Sequence, residues 1–217
     1  MHMIHSTPRT PHRQGFTLLE VLMAVAVIGI LVAIIIPAIG GAQTSARRAK
    51  TRVQFSQWSA AIEQFRQEYG YYPTFAEDRV NGGPPGALLA EVHIFHDTLT
   101  SRRRNGDALP TGGTTPAPQV QNPKRIAFVS FGTGDLSTDG LIQDAFGNTQ
   151  IGVLLDRNLD TNIDLTAGGG DYATSPLLTV ANAQGSAVTV TTPPGNRIRA
   201  GVAFYSAGDG QTPVTSW

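Results

Sequence analysis

The chain is expected to be an α+β protein. One long N-terminal helix, membrane-spanning in its first half and amphipathic in its second, packs on a small antiparallel β-sheet. Three observations predict this. Residues 21–36 are sixteen in a row without a polar side chain. Thr51, Phe55, Trp58, Ile62, Phe65 and Tyr69 then recur at spacings of four and three, the period of one helix face. From Arg125 onward the pattern changes to short β-branched and aromatic runs separated by turn residues.

The bulk composition narrows the classes. The 217 residues hold 16 Lys and Arg against 16 Asp and Glu, so no global basic field points to nucleic acid. Cysteine is absent, which excludes a disulfide scaffold and cysteine-ligated zinc. With 24 Gly, 14 Pro and only 15% charged residues, a turn-rich β-containing part is favoured over a helical bundle.

The apolar run extends from Phe16 to Ile39 and holds one charge, Glu20, near its start. An acid at the centre of a membrane helix costs roughly 2.5–3.5 kcal/mol. A short polar leader precedes the run, with Arg9 and Arg13 but no acid. The run approaches the ~20 residues that a bilayer requires. Pro37-Ala38-Ile39-Gly40-Gly41-Ala42 imitates a signal cleavage site, so an ordinary secretory signal or a plain single-span anchor fits the composition. Three details favour another reading. Gly15 precedes the run, Phe16 opens it, and Glu20 is the fifth residue counted from Phe16.

"GFTLLE" followed by an apolar helix resembles the N-terminal signal of type IV prepilins and type II secretion pseudopilins. The resemblance implies that a prepilin peptidase cuts between Gly15 and Phe16 on the cytoplasmic face, that the new Phe16 amine is N-methylated, and that the helix stays with the mature protein. It also implies that Glu20 meets the Phe16 amine of a neighbouring subunit during assembly, a charge satisfied only when paired. One feature disagrees. Arg47, Arg48, Lys50 and Arg52 follow the run and outnumber the leader's two arginines, against the positive-inside rule. The signal requires Gly15 to be cytoplasmic, and it is given precedence.

Beyond Pro37, which is expected to kink or loosen the helix, the amphipathic half ends at Gly70. A helix over 16–69 would run roughly 80 Å at ~1.5 Å per residue. "YGYYPT" again resembles the major pseudopilins. In the variable-looking section 79–124, residues 87–101 are expected to form a short amphipathic helix, and 105–123 a surface loop or partly disordered linker. His93 and His96, with Glu91 and Asp97, are too few for a convincing zinc site. Arg102, Arg103 and Arg104 read as a solvated loop.

Strands are expected over 125–131, 149–156 and 197–208, with a hairpin from 176–181 and 186–192. Asp144, Gly147 and Asn148 match the pseudopilin Asp-Pro-Trp-Gly-Asn turn, while Ala145 and Phe146 depart from it. Ser206, Gly208, Asp209 and Gly210 resemble the loop after the final pseudopilin strand, with one residue fewer. Between them, Asp156, Asn158, Asp160, Asn162 and Asp164 stand at every second position. Alternate Asp and Asn can deliver oxygens to one Ca2+, yet Thr161 and Ala167 occupy the places of the turn glycine and the closing Glu of a calcium loop. An Asx-rich turn is the other reading. Related pseudopilins often hold calcium in the loop where Asp209 lies, and Asp209 is the only carboxylate there.

The chain thus divides into a leader (1–15), a transmembrane and assembly half (16–42), an amphipathic half with variable loops (43–124) and a sheet domain (125–217). The resemblance implies a structural subunit of a periplasmic pseudopilus in type II secretion. Its partners would be copies of itself, related pseudopilins, the prepilin peptidase and the inner-membrane assembly platform. It would be a single-pass bacterial inner-membrane protein, N-terminus cytoplasmic and C-terminal domain periplasmic, before entering a periplasmic filament. The alternative is a type IV pilin or minor pilin for adhesion, motility or DNA uptake. No catalytic constellation is readable, so an enzyme is not expected. Nucleic acid is not expected either: without Arg9 and Arg13 there are 14 cations and 16 anions, a net charge of −2.

Overall fold

A computed structural model describes residues 16–75, 78–82, 93–114, 116–176 and 178–217, the side chains of 34–39 excepted. The chain has two compact units, Met1–Gln43 and Thr44–Trp217. Helix α1 covers Leu18–Tyr69. It stops where the sequence predicts: Gly70 takes φ +79° and its N–H bonds to the Arg66 carbonyl at 2.7 Å, a left-handed residue suited to glycine.

In the second unit, the predicted stripe is the buried face of α1. Thr51, Phe55, Trp58, Ile62 and Phe65 are all buried. They meet α2 (Ile94–Thr100) and one face of a three-stranded antiparallel sheet. That sheet has the order β1–β6–β7, with β1 at Ile151–Leu155, β6 at Val202–Ser206 and β7 at Val214–Thr215. Period-two alternation sorts its side chains. Ile151, Val153, Leu155, Val202 and Phe204 join the helix-side core. Leu154, Ala203 and Tyr205 join a second core on the opposite face. Two small antiparallel pairs build that second layer: β2 (Ile163–Asp164) with β5 (Arg197–Ile198), and β3 (Thr179–Ala181) with β4 (Ala187–Thr189). Every residue of β1 and β6 is therefore buried.

Several expectations need correction. Residues 125–131 form no strand. Both edges of the sheet are already assigned, because Val80 N–H bonds to the Ile151 carbonyl at 3.0 Å and Arg79 bridges Gly152, while β7 lies beside β6. Phe128 and Val129 instead direct their N–H groups at the Leu99 carbonyl and pack on the helix-side core. The expected strand at 197–208 is split into β5 and β6 by a bend. The helix expected over 87–101 is seen at Ile94–Thr100, and 83–92 lies outside the described residues. Part of the linker at 105–123 is structured as a helical turn, α3 (Pro118–Gln121). Buried Gln121 bonds both backbone groups of Thr74, and buried Asn122 bonds the Thr98 and Ile126 carbonyls.

Gly152 stands opposite Tyr205 in the β1–β6 register, and a Cβ there would lie 2.0 Å from the tyrosine ring. Gly152→Ala is expected to destabilise by about 1–3 kcal/mol through overpacking. Urea denaturation measures it, and an unchanged midpoint would show that the ring has room to move.

Candidate functional site

Gly15 and the leader lie outside the described residues. Phe16 is described and 83% exposed. Thr17 is the residue before α1, and the Glu20 N–H reaches both its carbonyl (3.1 Å) and its Oγ1 (3.2 Å). That is the Thr-x-x-Glu start of a helix, with a hydroxyl satisfying an otherwise orphaned amide. Sequence reasoning passed over this signal although "TLLE" carries it. Glu20 has a local reason to stand where it does, since an acid in the first turn is favoured by the helix dipole.

Every side chain described over residues 18–33 is exposed, and all but Glu20 and Gly29 are Ala, Val, Leu, Ile or Met. A helix apolar all round is stable in water only when covered. The expectation that 16–42 spans a membrane is not supported by what is described. Among the described residues no helix is long and apolar enough to cross. Residues 18–33 amount to about 24 Å of helix against the ~30 Å of a bilayer core, and the side chains of 34–39 fall outside the description.

The Asp/Asn loop has a definite geometry. Buried Asp156 accepts the N–H groups of Asp160 (3.1 Å) and Thr161 (2.8 Å). Asn158 Oδ1 accepts Asp160 N–H, and Asp160 Oδ1 accepts Asn162 N–H. Thr161 adopts φ +71°, so the sixth residue of the loop is left-handed even though it is not glycine. Asp164 ends the loop in β2. The Thr166 N–H, ahead of the Arg197 guanidinium, holds its carboxyl below the usual range. The residue that closes the loop is Asp171, which the alternation did not include. Buried Asp171 accepts the N–H groups of Arg157, Asn158 and Asp164 at 2.7, 3.1 and 2.6 Å. Among the described residues no group of three or more His, Asp or Glu could hold a metal ion.

Asp209 is not joined to that loop by any contact described. It accepts Thr212 and Gln211 N–H groups and pairs with Arg48 of α1 at 2.7 Å. These bonds, the Thr212 amide first, hold its carboxyl low. The matched turn residues are structural. Asp144 Oδ1 accepts the N–H groups of Phe146 and Asn148. Gly147 takes φ +85°, and Asn148 ties the turn to the Gly208 carbonyl. Ala145 contributes its backbone N–H to Thr51 Oγ1 of α1. A proline at 145 has no N–H to give, so the bond to Thr51 is open to this chain only because Ala stands there.

Burial pushes the Asp144 carboxyl up despite its amide donors. A raised folded value means that folding takes up a proton. The contribution is complete below the ordinary carboxyl pKa near ~3.9 and is lost as pH rises through the folded value. Asp144→Asn is expected to flatten the fall in stability above about pH 4. Melting temperatures measured from pH 4 to 7 test this, and a variant with the wild-type slope would refute it.

The two histidines are occupied separately. His96 Nδ1 lies 2.8 Å from Asp97 Oδ1, while the His93 ring faces Arg104 Nη1 at 2.9 Å, a guanidinium where a cation ligand would need an open lone pair. Arg102 bridges Ala108 in a tight loop.

Residues 10–36 match the family described as the prokaryotic N-terminal methylation motif. No curated protein and no solved structure matches the chain. The motif is a prepilin-type signal, of the kind that opens type IV pilin-like and pseudopilin-type proteins. It contains Gly15, Phe16 and Glu20 and ends within the apolar run.

Proposed function

We propose that the chain is a structural subunit of a periplasmic pseudopilus in type II secretion, assembled through its N-terminal helix. The observation that carries this is the juxtaposition at one end of the chain. A methylation signal over 10–36 leads into a helix whose apolar side chains are exposed on every side, while residues 44–217 form a unit with cores of their own. Such a helix needs other apolar partners, first lipid and then the same helix of neighbouring copies. The prepilin peptidase cuts after Gly15 and methylates Phe16. The subunit waits in the inner membrane with its C-terminal domain in the periplasm, and the assembly platform adds it to the filament.

Mass spectrometry of the N-terminus from cells with and without the peptidase tests the processing. The expected product begins at methylated Phe16; a chain cut near residue 42, or left intact, overturns the reading. Protease protection of the C-terminal domain tests the orientation. A type IV pilin for adhesion, motility or DNA uptake is the alternative within the class. Absence of cysteine and the net charge of −2 favour secretion. Deleting the gene should abolish protein export and spare surface pili.

Calcium belongs to the same proposal as a second reading. It is supported by the left-handed Thr161 in the sixth position and by the Asx turns at 156–162. With so few carboxylates free, such an ion would draw on Asp156, Asn158, Asp160 and the Asn162 carbonyl. Added Ca2+ is expected to raise the melting temperature and EGTA to lower it, with Asp156→Ala removing the response. No shift would leave the loop a hydrogen-bonded turn.

A further inference from the structure

The four cations that contradict the positive-inside rule have no part in the reading above. Arg48 is used by the fold, in its ion pair with Asp209. Arg47, Lys50 and Arg52 are exposed, and among the described residues none of them forms an ion pair. Lys50 Nζ lies over the turn at Gly134. Asp135 in that turn is already engaged, by Gln54 Nε2 at 2.7 Å and by the Gly132 N–H at 2.9 Å. Among the described residues, Asp135 is therefore not an open partner for Lys50.

Their placement has a shape. At 100° per residue, Arg47 and Lys50 stand about 50° and 110° to one side of the stripe formed by Thr51, Phe55, Trp58 and Ile62, and Arg52 about 90° to the other. All three lie within about 7.5 Å along the helix axis. Cations at one height on both flanks of a helix make a collar. A collar suits a flat surface lying across the helix, not a strand running along one side of it. In sequence, it begins eight residues after Ile39, the end of the apolar run.

We propose that Arg47, Lys50 and Arg52 form a collar that binds the anionic headgroups of the membrane in which the unassembled subunit waits. This rests on the membrane-anchored reading above. The collar holds the second unit at the lipid surface by charge alone. The attachment is reversible, because exposed cations are screened by salt within about a Debye length. It gives the exposed basic residues a partner outside the fold, and it makes release from the surface part of assembly.

The test uses the full chain, which contains no native cysteine to interfere with labelling. A spin label is attached at Gln57→Cys, on the exposed side of α1 above the collar. The chain is reconstituted at low density in vesicles of phosphatidylcholine, with or without phosphatidylglycerol, that carry nickel-chelating headgroups. Contact between label and nickel is expected to rise with phosphatidylglycerol. The ratio of surface-held to free domain is expected to fall about fivefold for each cation changed to Gln, and about 100-fold for Arg47→Gln, Lys50→Gln and Arg52→Gln together. High salt should imitate the triple variant. Contact independent of lipid charge, in a chain that resists carbonate extraction, overturns the collar and leaves the anchor intact. A chain extracted by carbonate overturns the anchor and the collar with it. Contact that follows protein density rather than lipid charge shows a second copy to be the partner, and also overturns the proposal.

Discussion

Glu20→Ala is expected to leave cleavage after Gly15 and membrane association unchanged while abolishing incorporation into filaments. After cleavage Phe16 bears the terminal amine and Glu20 lies one turn away, since residues four apart share a helix face. In a lone subunit the carboxylate is exposed on an otherwise apolar helix; packed among other helices, it is tolerable only with a cation beside it. The structure supplies a competing explanation, because Glu20 is also the fourth residue of a Thr-x-x-Glu helix start. Thr17→Val separates the two. It removes the hydroxyl cap at a cost of about 1 kcal/mol and keeps the charge. Filaments from the Thr17 variant but none from the Glu20 variant would assign Glu20 to assembly. Equal loss in both would assign it to the helix start, and normal assembly of Glu20→Ala would falsify the pairing role outright.

Phe204→Ala is expected to cost about 3–5 kcal/mol, a large part of the 5–15 kcal/mol typical of a whole domain. Phe204 is fully buried at the centre of β6 and is where three elements meet. Its ring centroid lies 5.4 Å from Phe55 and 5.6 Å from Trp58 on α1, and 6.0 Å from Phe95 on α2. Removing it opens a cavity that these rings cannot close without leaving one another, because Trp58 also packs on Phe95 and Phe131. Phe128→Ala, at the half-buried rim of the same core, should cost clearly less. Equal losses in urea denaturation would show that the core is not organised around Phe204.

The parts legible in advance were those whose cause is local. The stripe from Thr51 to Phe65 was readable because a 3.6-residue period is written into the chain, and Gly70 because a left-handed stop needs glycine. The β3–β4 hairpin was readable from two β-branched runs around Asn182 and Gly185. The apolar segment 125–131 misled because hydrophobic content records burial and not hydrogen bonding; it covers the core without joining a ladder. Asp171 was invisible because it lies seven residues beyond the alternation and meets the loop only after the chain has turned back.

By itself the sequence determined the processing signal, the amphipathic half of α1 and the α+β class. Each depends on residues within a few positions of one another. Tertiary structure alone decided that the sheet is covered on both faces, that residues 79 and 80 line the outer side of β1, and that Arg48 is bound to Asp209 while its three neighbours form no ion pair among the described residues. Those outcomes join residues separated by up to 161 positions. Which distant partner wins is settled by competition for a limited number of edges, carbonyls and carboxylates, and that competition exists only once the chain has folded.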